Sequence, residues 1–267
     1  MSSATTATTP TPHLTIYRGF PDQGKYVWSP FVVKLEARLR FAGINNYKTE
    51  AGSLGKAPRG KIPYISLQKE DLSEPEWLAD TSLIVQRFVD DGLLPDLNDA
   101  LSTHDQALDL ALRALLEDKL YFYQTLERWN DNYYSMRDKV MAAIPYPVRV
   151  AVGLLAHRGV MGTLHGQGTA RYTPEERDKL RGQIWDSMNT LAAESKNKHA
   201  GGDAPFWLLG KEGPTEVDAT LFGMIASGLV CVAAPDTQRH VRSHEVLMDY
   251  AQRIHDTYFP DYECWEP

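Results

Sequence analysis

Cysteine is almost missing from this chain. Cys231 and Cys264 are the only two; they lie far apart and form neither a CxxC pair nor a metal-ligand cluster. That excludes a disulfide framework and predicts a reducing, cytoplasmic setting. An excess of positive charge is missing too. With 28 Lys and Arg against 35 Asp and Glu the formal charge is −7, which argues against broad nucleic-acid binding and against an anionic membrane surface as partner. No apolar run reaches the roughly 20 residues that a bilayer span requires. The longest uncharged apolar stretch, Ala219 to Ala234, has 16 residues and is interrupted by Gly223 and Gly228, so it predicts a buried core helix. Residues 1–13 hold no charged side chain besides the terminus, no apolar core of a secretory signal and no arginines of a mitochondrial presequence. They predict a disordered tail. There is no internal repeat.

What is present is the composition of a globular protein, 43% hydrophobic and 24% charged over 267 residues, enough for two modest domains. Leu14-Thr15-Ile16-Tyr17 alternates and predicts a first strand. The loop Arg18 to Trp28 leads to Ser29-Pro30-Phe31, where Ser at the N-cap and Pro at the first helical position predict a helix to about Ala42, ended by Gly43. On local signals alone Ser29 reads as a helix cap. Asn46 to Glu50 predicts a second strand, and the segment Gly52 to Gly60 is polar and Gly-rich. Ile62 to Leu67 then reads as a short buried strand, with Pro63 at its start because proline has no N–H for the ladder. Asp80 stands at the N-cap position of a helix carrying Leu83, Ile84 and Phe88, which Asp90-Asp91-Gly92 ends.

Beyond a linker at Leu93 to Asn98 the pattern is helical. Leu108, Leu112, Leu116, Leu120 and Tyr123 share one helix face, and Tyr121, Trp129, Tyr133 and Tyr134 extend it as an aromatic-rich end. Such aromatics serve a core as readily as a ligand pocket. His157 to Tyr172 holds four glycines without the strand and GK[ST] ending of a phosphate loop, and predicts a flexible connector. His157 and His165 have no Cys, Asp or Glu nearby at ligand spacing, so no metal is expected. Thr173-Pro174-Glu175-Glu176 starts a further helix. Thr215-x-x-Asp218 is a capping-box variant heading the apolar run at 219–234.

Two of these stretches resemble the glutathione S-transferases. Ile62-Pro63 and Asp80-Thr81 are similar to the family's cis-proline turn, which presents backbone to the cysteinyl part of glutathione, and to its acidic-hydroxyl pair, which binds the γ-glutamyl end. The capping box before a buried helix is similar to a folding motif of the family's helical domain. The resemblance implies an α/β plus all-α fold, with a thioredoxin-like glutathione-binding domain at 14–95 and a helical domain at 96–267 that shapes the pocket for a small apolar substrate. Glutathione would be cosubstrate or cofactor, held by Lys61, Ile62, Pro63, Asp80 and Thr81, and the protein a homodimer. Tyr121, Trp129 and Tyr133 are the candidates for the substrate pocket.

The chemistry such a family needs is a bound thiolate, because the thiol is a poor nucleophile. A hydrogen bond to sulfur and a helix N-terminus aimed at it both favour the anion. Ser29-Pro30-Phe31 is similar to the Cys-Pro-Phe of omega-class members with serine for cysteine. A hydroxyl donates to a thiolate and forms no mixed disulfide, which disfavours thiol-transferase activity. The loop Arg18 to Trp28 is longer than in most classes and resembles the branch of failed-axon-connections and metaxin-like proteins. It leaves Tyr17, Tyr26 and Lys25 as alternative groups at the sulfur. Fungal natural-product-pathway transferases are similar as well, which implies a polyketide-like acceptor. Two functions stay open: a glutathione-dependent transferase, with conjugation or cis/trans isomerisation of a conjugated alkene as sub-types, and a non-catalytic protein-interaction module.

Overall fold

Alternation decides the first strand. β1 (His13–Tyr17) buries Leu14 and Ile16 and turns His13, Thr15 and Tyr17 to the other face, as a strand's period of two requires. In the computed structural model, which describes residues 13–68, 73–198, 202–210 and 212–266, β1 runs parallel to β2 (Lys48–Glu50) and antiparallel to β3 (Tyr64–Gln68). β3 pairs antiparallel with β4 (Glu76–Ala79), giving the order β2-β1-β3-β4. The tail expected at residues 1–13 lies, except for His13, outside the described residues.

Two helices cover one face of this sheet. α1 (Pro30–Phe41) and α2 (Thr81–Asp90) supply Leu35, Leu39, Ile84 and Phe88, which close over Leu14, Ile16, Ile65 and Leu67. Residues 51–63 contain no helix or strand, and this irregular segment packs on an aromatic ladder on the opposite face, with Gly52 against Tyr17 and Tyr64 and the Ser53 N–H donating to the Tyr64 hydroxyl at 3.1 Å. Tyr17 stacks on Tyr64 at 4.5 Å, and Trp77, 43% exposed, flanks both. The sheet and its two helices form the expected thioredoxin-like unit.

The rest is helical. α3 (Thr103–Leu115), a π segment (Leu116–Leu120), α4 (Tyr121–Leu126) and a second π segment (Glu127–Asp131) follow without interruption. α5 (Tyr133–Val140), α6 (Tyr146–Gln167), α7 (Pro174–Lys198), α8 (Glu216–Leu229), α9 (Pro235–Arg242) and α10 (Glu245–Tyr258) complete the bundle. α8 is its axis: every residue from Val217 to Leu229 is buried. Its capping box is formed, with the Asp218 carboxylate accepting from the Thr215 N–H at 2.8 Å and from the Thr215 hydroxyl at 2.7 Å. The other carboxylate oxygen accepts from the Leu208 N–H and the Tyr250 hydroxyl, both at 2.9 Å. Burial pushes this carboxyl upward against those bonds.

α1 is shared between the two parts. Leu35 and Leu39 face the sheet, while Val32, Val33 and Ala37 join the core of the bundle. Gly223 of α8 makes that contact close. A Cβ there would stand 2.6 Å from the Pro30 carbonyl oxygen and 3.0 Å from the Lys34 nitrogen, so only glycine lets α8 lie against the start of α1.

One expectation is corrected. Residues 157–167 are not a flexible connector but the second half of α6, a 22-residue helix whose own glycines tempt a loop assignment. Their backbone hydrogen bonds are satisfied internally, and the helix ends only at Gly168, whose φ of 104° is open to glycine alone. Only Gly153 and Leu164 of α6 are buried.

Candidate active site

Register gathers the motif residues. Tyr17, Tyr64 and Ala79 pair across the sheet in a single row, so Arg18, Pro63 and Asp80, each the next residue outward, share one sheet end. The Ile62–Pro63 bond is cis. Gly19 leaves β1 at a φ of 81°, and a Cβ on it would meet Ile62 at 3.1 Å, which sets the loop start against the cis turn. Lys61 is exposed, Ile62 half-buried and Pro63 buried.

Asp80 caps α2 from an unusual backbone. Its φ is 78°, the only positive value for a non-glycine among the described residues, and its carboxylate accepts from the Ser82 and Leu83 N–H groups at 3.1 and 3.3 Å. A β-carbon in that region is strained, and such strain persists only where surrounding bonds fix it. Asp80 is exposed and Thr81 buried, so an acidic side chain and the positive end of α2 face solvent together.

Ser29 stands at the head of α1 in extended conformation, half-buried, with its hydroxyl making no capping bond. The local reading as a helix cap is therefore not what its side chain does. The α1 N-terminus is held from beneath: Arg128, 4% exposed, donates to the Trp28 carbonyl at 2.6 Å. Lys34, one turn into α1 and 4% exposed at its side chain, places its ammonium 2.6 Å from Glu117 and donates to the Ser82 hydroxyl at 3.4 Å. Glu117 also accepts from the Thr220 hydroxyl at 3.1 Å. This cluster joins α1, α2, the first π segment and α8 behind the site. Sequence reading missed it, because Lys34 and Glu117 lie 83 positions apart.

The long loop Arg18 to Trp28 is clasped from inside. Arg18, 1% exposed, donates to the carbonyls of Asp22 at 2.9 Å and Lys25 at 2.5 Å, and its guanidinium lies 3.0 Å from Glu36 on α1. The Tyr262 hydroxyl donates to the same carboxylate at 3.1 Å. Burial raises the Glu36 carboxyl, and the Arg18 charge opposes it.

The three alternative sulfur donors each have another partner. Tyr26 is buried among Phe222, Phe259, Tyr262 and Trp265, its hydroxyl 2.8 Å from His255 Nδ1, and burial holds its phenol far above the ordinary range. Tyr17 lies on the sheet face away from α1, its hydroxyl turned back to Ser66 at 3.4 Å. Lys25 is exposed and bound to Glu263 at 2.6 Å. Of the pocket candidates, Tyr121 meets Phe31 edge-on at 4.9 Å, beside Ser29. The preceding π segment adds a residue to the turn and so resets the face on which Tyr121 emerges. Trp129 is half-buried in the second π segment. Tyr133 packs instead on His157 and Tyr134, against α6 at Gly153.

Comparison with known proteins agrees with this fold. Residues 30–134 match a family model described as the glutathione S-transferase N-terminal domain, and residues 203–254 match one described as the glutathione S-transferase C-terminal domain. Together they span more than half of the chain. The glutathione transferase GSTFuA2 from Phanerochaete chrysosporium is 16% identical with a TM-score of 0.56, over 92% of this chain and 98% of that one. Ure2p in complex with S-hexylglutathione is 13% identical with a TM-score of 0.54, over 94% and 99%. At these identities the likeness is one of fold. The N-terminal match begins at Pro30, so the loop Arg18 to Ser29 lies outside it.

Proposed function

The chain belongs to the glutathione S-transferase superfamily, and on that premise we propose that it binds glutathione at the sheet end marked by Pro63, Asp80 and Ser29 and uses its thiolate against an apolar electrophile. The observation that carries this reading is the row Tyr17–Tyr64–Ala79, which sets the cis-proline turn and the acidic helix cap side by side.

The cis turn at Ile62–Pro63 leaves backbone groups free for the cysteinyl portion. The exposed Asp80 carboxylate receives the γ-glutamyl ammonium, and the α2 N-terminus with Thr81 and the Ser82 hydroxyl receives its carboxylate. Lys61, exposed at the rim, offers a charge for the glycyl carboxylate. Ser29, whose hydroxyl has no partner in a capping bond, donates to the sulfur, and the α1 dipole adds to the preference for the anion. Phe31 and Tyr121 wall the adjoining space for an apolar acceptor.

The thiolate adds to an electron-poor carbon of a conjugated alkene: the C–S bond forms as the C=C π bond opens, its electron pair passes to the acceptor's electron-withdrawing group, and a proton from water completes the adduct. A persisting adduct is conjugation. The same addition leaves a single bond that rotates, and expulsion of the thiolate returns glutathione with the other geometric isomer. Conjugation is the primary proposal, because no dedicated general acid stands at the site; isomerisation is the second outcome of one mechanism. Titration of thiolate absorbance in the bound complex tests the site: Ser29→Ala raises the thiol pKa and leaves binding largely intact. Calorimetry on Asp80→Ala reads a loss of glutathione affinity of about tenfold or more, since a charge-assisted bond contributes about 1.5–3 kcal/mol. Failure of the wild-type chain to bind glutathione overturns the reading in favour of a non-catalytic interaction module. Glutathione consumed in step with product marks conjugation, and isomer change at constant glutathione marks isomerisation.

A further inference from the structure

The chain's net charge conceals a strongly segregated surface. From Lys139 to Arg171 there is no Asp or Glu, while Lys139, Arg149, Arg158 and Arg171 are all basic and His157 and His165 lie among them. The rest of the molecule is correspondingly more acidic than −7 suggests. This stretch contains α6, and α6 is also where apolar side chains stand in solvent. Leu155 is 72% exposed, Leu154 57% and Val148 53%. Monomeric soluble proteins rarely show so many large apolar groups together without a use for them.

Helical geometry puts charge and apolar surface on one face. Val148, Val152, Leu155, Gly159 and Gly162 recur at spacings of three and four and form one stripe. Arg158 lies one turn beyond both Leu154 and Leu155, is exposed, and enters no ion pair among the described residues. The opposite stripe, through Gly153 and Leu164, is the one buried against the bundle. No helix among the described residues is long and apolar enough to cross a membrane, so any contact made here is peripheral.

We propose that the outer face of α6 docks on an anionic lipid surface. Leucine and valine side chains enter the acyl boundary, and Arg158 meets lipid phosphates. Charge complementarity decides between this occupant and a second copy of the chain. A two-fold contact sets the patch on itself, and the stretch 139–171 has no carboxylate to answer its own basic groups. The two acids beside the stretch are both engaged: Asp138 is held by Arg137 at 2.8 Å and lies 3.9 Å from Arg149, and Asp22 lies 3.8 Å from Lys139. The proposal does not depend on glutathione binding.

Co-sedimentation of the full chain with vesicles tests it, using phosphatidylcholine alone and phosphatidylcholine with about 30% phosphatidylserine, at about 0.1 M and about 1 M salt. The wild type pellets with the anionic vesicles at low salt, and high salt weakens this. Leu155→Glu abolishes it. Arg158→Glu weakens it by on the order of tenfold or more, because each basic group near such a surface is worth roughly fivefold. Leu110→Glu, an equally exposed apolar position on α3 (61%), leaves it unchanged. Circular dichroism checks that the variants stay folded. Absence of pelleting with anionic vesicles, equal pelleting with neutral ones, or unchanged binding by Leu155→Glu overturns the proposal. So does a lipid-free dimer, read by light scattering, that Leu155→Glu converts to monomer.

Discussion

α8 and α6 are two apolar, glycine-bearing helices with opposite fates. α8 is buried on every side from Val217 to Leu229, whereas α6 buries only Gly153 and Leu164 and shows Leu154 and Leu155 to solvent. Charge separates them in part, since α6 carries Arg149 and Arg158 while α8 has no charged side chain beyond Asp218. Their ends and their glycines separate them further. α8 starts from a capping box whose acid is itself fully buried and takes four hydrogen bonds, while α6 starts from Pro145 with no side-chain cap. Gly223 of α8 touches the backbone of another helix; Gly159, Gly162 and Gly166 of α6 have open space beside them. The difference teaches that a glycine in an apolar helix means close packing in one place and tolerance in another. Only the neighbouring element tells which.

Substitutions at these positions sharpen the contrast. The largest effect is expected at Asp218→Ala, which orphans the Thr215, Leu208 and Tyr250 donors in the core; denaturant unfolding should report a loss of about 3–5 kcal/mol, or no stable fold. A change below about 1 kcal/mol would mean that water replaces the carboxylate and that the box does not organise α8. Gly223→Ala comes next. Its methyl forces α8 away from Pro30 and Lys34, a cost of about 1–3 kcal/mol by urea titration with the slope unchanged. An unaltered midpoint would show that the two helices separate freely.

Asp80→Ala should cost less than Asp218→Ala although both remove a helix-capping carboxylate. Asp80 is exposed, so water replaces it, and the expected loss is about 1 kcal/mol. Equal losses at the two sites would break the comparison between buried and exposed caps. The smallest effect runs the other way. Gly162→Ala meets nothing in α6 and favours the helix over the unfolded chain, so thermal unfolding should register a gain of about 0.5–1 kcal/mol. A loss there would place an unseen neighbour on the outer face of α6.

Much of this molecule was legible before folding. The starts of α1, α2, α7 and α8 and the entry to β3 through Pro63 rest on bonds and dihedrals among residues within four positions of each other, and β1 shows in its alternation. Such signals are complete in the local sequence, because a cap or a proline acts on its own turn. The reading failed where glycine was taken for flexibility at 157–167. A helix tolerates glycine at a cost of about 1 kcal/mol each when its remaining backbone bonds are made, and α6 makes them.

Other properties lay beyond any local pattern. Tyr17 falls on the sheet face away from α1 because β1 enters its ladder in one register, and a slip of one residue would have reversed it. Tyr26 is enclosed by residues from α8, α10 and the C-terminal segment, all more than 190 positions on by the numbering of Phe222, His255 and Trp265. Lys34 finds Glu117, and Arg18 is enclosed with Glu36 and Tyr262, through the same kind of distant meeting. The sequence by itself determined where the proline-headed and capped elements begin, since those starts are settled by neighbours along the chain. Tertiary structure alone decided which faces are buried, which hydroxyls stay free and which charges pair, since burial and Coulomb attraction depend on distance in space and take no account of separation in sequence.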